Sequence, residues 1–275
     1  MKLKEIPKSV FRSLQLRATP RSRLFQPAAA EVPVVVSFTS IPPRLPRVDL
    51  VVRSLLTQTR VPEKIVLWLP EPDLPKIPKR LQALVHDRFE IRPTPLTAPH
   101  KKLIHALEAF PGHVIVTCDD DLMYRRRWLE SLYASHRQHP GCIIGHQLRR
   151  IRYDAQGNLL PYKAWTYQGP DTPAEAVMAI GAGGVLYPPG SLDERVQDRE
   201  TFMELCPRAD DLWFKMMGLL AGTRVVSPGE PVKEPIPIIG TQKYSLKKTN
   251  INQDQNRTQW EALTARFGCL PIPKS

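Results

Sequence analysis

An α/β fold built on a largely parallel sheet is what this sequence predicts, and three observations carry the expectation. Short apolar, β-branched runs recur at Val32–Thr39 (VPVVVSFT), Lys64–Leu69 (KIVLWL) and Val114–Thr117 (VIVT), each of strand length and apolar on both faces. Helical patterns separate them, the order of β-α-β units. The third run ends in Cys118 followed at once by Asp119, Asp120 and Asp121, and ligands in such sheets gather beyond the carboxyl ends of strands.

The elements follow in order. Residues 1–31 form a basic N-terminal arm with seven Lys or Arg against Glu5 and Glu31. Val10, Phe11 and Leu14 share one face of a short helix there, so the arm reads either as an amphipathic helix on anionic lipid or as a solvated segment. Pro27-Ala28-Ala29-Ala30 reads as a linker. The main domain, 32–227, begins with the first strand, a Pro42-Pro43-Arg44 turn and a helix around Val48–Gln58. The strand Lys64–Leu69, a proline-rich loop, a helix Lys79–His86 and a strand Phe89–Arg92 come next. Pro93 and Pro95 lead to a helix Lys102–Phe110, then the central strand Val114–Thr117. A helix from Trp128 to Arg137, a strand Ile143–Gly145, a strand-like run ending at Tyr187, a helix that opens within Cys206–Phe214 with Asp210 and Asp211 in its first turn and runs to about Leu220, and a last strand Thr223–Ser227 complete the domain. The remainder, 228–275, is proline- and lysine-rich with a helix at Asp254–Phe267, and reads as an extension packed on the main domain.

At 275 residues, 42% hydrophobic and 24% charged, the chain has the composition of a folded α/β domain with extensions rather than of a disordered one. A net charge of +12 points to anionic partners without choosing among nucleic acid, lipid and acidic substrate. The four cysteines (Cys118, Cys142, Cys206 and Cys269) have no CxxC spacing, which fits reduced thiols and no zinc site. No long apolar span or signal-peptide core is present, so the expected location is cytoplasmic, with peripheral attachment to the inner face of the plasma membrane as the arm's contribution.

Three adjacent carboxylates repel each other, and the apolar strand beside them raises the penalty unless a cation sits among them. Oxygen ligands favour Mg²⁺ or Mn²⁺. A cap on the following helix is the plain alternative, although one Asp suffices for that. Lys101 and Lys102 at a helix N-terminus oppose the helix dipole, which makes sense beside a phosphate or carboxylate, the alternative being an ordinary solvated pair. Arg125, Arg126 and Arg127 counter the acids, contact an anionic substrate, or form the solvated face that is the default for a charge run. Arg149, Arg150, Arg152, Tyr153, Lys163 and Trp165 suit stacking on a ring and pairing with an anion. In Ala179–Tyr187 the glycines Gly181, Gly183 and Gly184 allow close backbone approach, by a ligand or by packed protein. Asp210 and Asp211 open a late helix, where the dipole keeps a carboxylate ionised and able to accept a hydroxyl proton.

Taken in order, VVVSFTSIPPRL, HKKL, VTCDDDL, GAGGVLYPP and PRADDLWF give the span Val32–Val226 a resemblance to bacterial GT-A type sugar-nucleotide-dependent glycosyltransferases of capsule or lipopolysaccharide synthesis. The resemblance implies a Rossmann-like GT-A fold and a hexosyltransferase-like activity. It implies Mn²⁺ or Mg²⁺ on a DxD-type motif, Asp121 with Asp119 as ligands. It implies a donor nucleotide gripped by Thr39, Arg44, Lys102, Asp119 and Asp120, and a sugar or acceptor pocket near Gly183, Gly184, Trp165 and Arg149. The family's late Glu-Asp pair corresponds to Asp210-Asp211, leaving the catalytic base between the two, with Asp211 favoured and an inverting displacement expected. Implied partners are a nucleotide-sugar donor, a UDP-sugar foremost, and a saccharide or lipid-linked acceptor.

Two rivals come from other classes. A metal-dependent phosphoesterase would use clustered Asp residues, but none of the seven histidines falls beside either acid cluster. A basic nucleic-acid-binding protein would account for the charge, but no recognition motif is present and the acids would repel phosphates.

Overall fold

The computed structural model describes residues 3–25, 30–166, 173–230, 232–244 and 253–268. Most of the expected linker (26–29) and Cys269 lie outside these residues.

Strand β1 (Glu31–Thr39) is an inner strand of a seven-stranded mixed sheet. On one side it pairs in parallel with β2 (Val61–Pro70), which pairs with β3 (Phe89–Thr94). On the other it pairs in parallel with β4 (Val114–Thr117). The chain therefore builds outward from β1 in one direction and then returns to its opposite flank, a topological switch point whose crevice opens at the carboxyl ends of β1 and β4. A two-residue strand, β5 (Leu122–Met123), lies outside this sheet. The main sheet continues through β6 (Ile143–Gly145), β9 (Val185–Tyr187) and β10 (Val225–Val226), in the order β10-β6-β9-β4-β1-β2-β3. Only β9 runs antiparallel, between β4 and β6. Its reversed direction places its amino end, Val185, beside Thr117, so the glycines before it arrive next to the acids.

Alternation along β1 divides the core. Val34, Val36 and Phe38 face α3 (Leu45–Leu56) and α6 (Trp128–Gln138), whereas Val35 faces α5 (Lys101–Ala109) and α8 (Asp210–Leu220). Helix α3 begins at the proline-rich turn, with Pro46 in its first turn where a missing N–H is harmless. It buries Leu45, Val48, Val52 and Leu55 at helical spacing.

Three short pieces were not expected from sequence. Strands β7 (Leu148–Arg150) and β8 (Val177–Ala179) form their own ladder. A helix α7 (Arg199–Leu205) precedes α8, capped by the Asp198 carboxylate on the Thr201 N–H. Strand β11 (Ile236–Pro237) pairs antiparallel with β5, immediately after Asp121.

The flanking segments pack on this body. Helix α1 (Ile6–Ala18) lies against α3 through Leu16, and Ser9 Oγ donates to the Pro237 carbonyl at 2.7 Å. The last helix, Gln255–Phe267, buries Trp260 and Leu263 in the core beside α8. Among the described residues no helix is long and apolar enough to cross a membrane.

Candidate active site

A cavity of about 790 Å³ opens at the switch point and is lined by both acid clusters together with Thr39, Arg44, Lys101 and Lys102. That volume is within the range of small-ligand sites.

Asp120 is the anchor of the acid loop. It is buried, accepts from Ser40 Oγ at 2.5 Å and is ion-paired with Arg44 Nη1 at 2.5 Å. Arg44 Nη2 also reaches Asp121 Oδ2 at 3.0 Å, and the Gln242 amide donates to the same oxygen at 3.0 Å. One guanidinium fork thus spans two carboxylates. The surplus of negative charge remains: burial, then Asp119, push the Asp121 carboxyl up to about 7 against the pull of Arg44.

Lys102 is fixed by the fold before it is fixed by charge. Ser37, buried on β1, donates through Oγ to the Lys102 carbonyl and accepts from Trp68 Nε1, tying the first turn of α5 to the sheet. The ammonium then reaches Asp119 Oδ1 at 3.1 Å and Asp210 Oδ2 at 2.9 Å. Burial alone would lower its pKa, but Asp119, Asp210 and Asp211 outweigh burial and raise it. The two lysines are not a solvated pair: Lys101 is 2% and Lys102 5% exposed. Lys101 donates to the Thr97 and Ala98 carbonyls, and burial lowers its pKa to about 8.

The acidic pair divides in the same way. Asp210, at the first position of α8, is buried, but Lys102, His100 and its backbone N–H overcome burial and hold its pKa below the ordinary value. Asp211 accepts the Gly181 N–H at 3.1 Å. Burial and the charge of Asp210 raise it to about 7. Asp210 is therefore a fixed anion, and Asp211 a carboxyl that exchanges its proton near neutrality.

The three glycines serve different neighbours. A Cβ on Gly181 would lie 3.0 Å from Asp211 Oδ1, 3.0 Å from Lys102 Nζ and 3.7 Å from Asp119 Oδ1. Gly183 and Gly184 do not line the cavity. Gly183 packs on Gln147, and Gly184, at φ +94°, lies under the Trp128 indole, whose Nε1 donates to the Gly183 carbonyl. Close protein packing, not ligand approach, explains those two.

Further expectations are corrected by the structure. Trp165 is fully buried with Nε1 on the Leu160 carbonyl, and Arg149 stacks on Tyr162 at 4.6 Å while donating to the Trp165 carbonyl. Neither lines the cavity; Arg149 instead steadies Tyr162, which does. Arg125, Arg126 and Arg127 do not counter the acids, since Arg127 pairs with Glu130 and Arg125 donates to the Glu234 carbonyl. Thr39 lines the cavity, its hydroxyl donating to the Trp68 carbonyl. Ser40, Tyr162, Asn256 and Gln242 were missed. A hydroxyl next to Thr39 at a strand's carboxyl end was a usable signal for Ser40, whereas the others arrive through long-range packing.

Among the described residues no group of three or more His, Cys, Asp or Glu side chains is disposed to hold a metal. The carboxylates nevertheless fit a hard divalent cation of the kind held by one or two protein ligands and completed by substrate phosphate. Among the described residues, ion pairs engage Asp119 only through Oδ1 and Asp121 only through Oδ2.

No family model and no curated protein sequence matches the chain. Similar solved structures include a CMP:2-keto-3-deoxy-manno-octonic acid synthetase complexed with CTP, 13% identical, covering 86% of this chain and 99% of that one at a TM-score of 0.46. A 4-diphosphocytidyl-2C-methyl-D-erythritol synthase from Anaerococcus prevotii is 11% identical over 82% of this chain and 95% of that one, TM-score 0.45. The 1–349 segment of S. aureus TarS is 15% identical over 74% of this chain and 58% of that one, TM-score 0.47.

Proposed function

We propose that this chain is a metal-dependent glycosyltransferase, moving a sugar from a nucleotide-diphosphate donor to a saccharide or glycolipid hydroxyl with inversion. One observation carries the reading: both acid clusters and a buried lysine meet around a single glycine, with Asp211, Lys102 and Asp119 all within 3.7 Å of the Gly181 Cβ position.

In this reading Thr39 and Arg44 border the nucleotide, and Lys101 supplies a cation not matched by an ion pair among the described residues. Asp119 and Asp121 would hold Mg²⁺ or Mn²⁺, which when bound neutralises charge on the donor diphosphate. Asp211 accepts the proton of the acceptor hydroxyl as its oxygen attacks the anomeric carbon, and the bond to the diphosphate breaks on the opposite face. The Gly181 N–H holds the Asp211 carboxylate in place, and its pKa of about 7 suits a general base. The phosphoesterase reading lacks the histidines it would recruit: His100, the nearest to Asp210, is buried, stacked on Phe202 and held neutral with a pKa of about 4 by burial.

The test is a thermal-shift screen of sugar nucleotides with and without Mn²⁺, on the wild type and on Asp121→Ala. One donor should stabilise the wild type by about 2.7 kcal/mol at a hundredfold excess over its dissociation constant, and only with metal. Equal metal-linked stabilisation of Asp121→Ala, or stabilisation by no sugar nucleotide, would reject the proposal.

A further inference from the structure

Helix α1 has two apolar faces, and the fold uses one. Ser9 and Leu16 turn inward and are buried. Ile6, Val10 and Leu14, four residues apart, share the outward face with Phe11 beside them, at 100° per residue. All four are exposed, Phe11 at 70% and Leu14 at 63%, and Leu3 extends the ridge. A ridge of this kind on a helix already docked to its own core is not explained by folding.

Cations flank it on one side. A cleft of about 230 Å³ lies between α1 and the loop before α6, lined by Lys8, Phe11, Arg12, Arg125 and Arg126. The three guanidinium groups crowd one another: burial, then Arg125 and Arg126, hold the Arg12 pKa below its ordinary value. No ion pair neutralises any of the three among the described residues; the nearby Arg127 takes Glu130, and Arg125 bonds a carbonyl. An adjoining cleft adds Arg127 and Lys233 against one acid, Glu230. Like charges gathered beside an apolar ridge raise the energy of the free protein and are relieved by an anionic surface that also receives the apolar side chains.

We infer that α1 and the Arg12–Arg125–Arg126 cleft together form a docking face for an anionic phospholipid bilayer, with Phe11 and Leu14 entering the headgroup boundary and the arginines taking lipid phosphates. The inference stands apart from the transferase reading, because it uses no residue of the cavity. Charge complementarity favours a bilayer over a second copy of this chain, whose identical arginines would repel across a two-fold contact. The face also connects to the acid loop: Ser9 holds Pro237 of β11, and β11 pairs with β5 directly after Asp121.

Co-sedimentation of the full chain with vesicles tests this. Wild type should pellet with phosphatidylglycerol-containing vesicles, be released by salt, and remain in solution with pure phosphatidylcholine. Phe11→Asp/Leu14→Asp should lower partitioning about tenfold or more, and Arg12→Glu and Arg126→Glu about fivefold each, with unfolding midpoints unchanged. Should the apolar double variant unfold, the arginine variants still carry the test through their salt dependence. Binding equal on both vesicle types, wild-type absence from both pellets, variants that pellet like wild type, or a dimer abolished by Phe11→Asp/Leu14→Asp without vesicle binding would each overturn the inference.

Discussion

Replacing Asp211 by Asn should make the protein increasingly more stable than wild type as pH rises, while removing its chemistry. Asn keeps an oxygen for the Gly181 N–H and carries no charge. The wild-type carboxyl moves from an ordinary 3.8 to about 7 on folding, through burial and then Asp210. A raised acid pKa means that the folded state favours the proton. The resulting stability is complete below pH 3.8 and is lost as pH climbs through about 7. Integrating between those values, wild type loses roughly 2–3 kcal/mol from this group between pH 5 and pH 8.5. The Asn variant has no such loss, so its stability relative to wild type should grow by that amount across the window and level off above it. Urea unfolding of both proteins at several pH values measures the difference directly, with the slope on denaturant as a check that the same transition is compared. A difference that is flat with pH, or that shrinks as pH rises, would refute the assignment of Asp211 as the buried carboxyl of shifted pKa. In the same variant, turnover should fall about a hundredfold or more with donor affinity nearly unchanged.

Four further outcomes follow from the site. Arg44→Met strips the cation from Asp120 and Asp121 and should destabilise by about 3–5 kcal/mol at pH 8, less at pH 5, by the same unfolding assay. Gly184→Ala drives a Cβ to 2.4 Å from the Trp128 ring at φ +94° and should abolish soluble expression or lower the melting midpoint steeply. Gly181→Ala, with a Cβ at 3.0 Å from two side-chain ends, should fold and instead weaken donor binding, read by titration calorimetry. The rate of transfer should rise with pH and level off above about 7, as Asp211 loses its proton; a rate that falls through that range would place the base elsewhere.

The frame of the molecule was readable because its inner strands are buried on both faces. Val114–Thr117 and Ile143–Gly145 are found at the residues their apolar runs indicate, the helix from Trp128 begins where expected, and α8 starts at Asp210, inside the Cys206–Phe214 stretch expected to open it. Strands of two or three residues carry no period, and β5, β11 and the β7–β8 ladder are not separated from their surroundings in sequence as Ile143–Gly145 is. The cavity was legible where its residues stand at strand ends or helix starts: Thr39, Arg44, Lys102, Asp119–Asp121, Asp210 and Asp211 all line it. Partnership was not legible. That Arg44 rather than Arg125–Arg127 would meet the acids depends on a turn at one strand's end reaching across to its neighbour. The glycines show the same limit, since Gly181, Gly183 and Gly184 look alike in sequence and differ only in what lies against them: two charged groups, a backbone and an indole.

The position of Gln242 bears on how the molecule is assembled during synthesis. The Ile238 N–H bonds the Asp121 carbonyl and the Gln242 amide bonds its side chain, so the segment that secures the acid loop is translated more than a hundred residues after it. Until that stretch leaves the ribosome the loop is held by Arg44, Ser40, Lys102 and Tyr124, and a chain arrested before Ile236 would possess the sheet without a finished pocket. The framework of the sheet is thereby made well before the acid loop acquires its last partners.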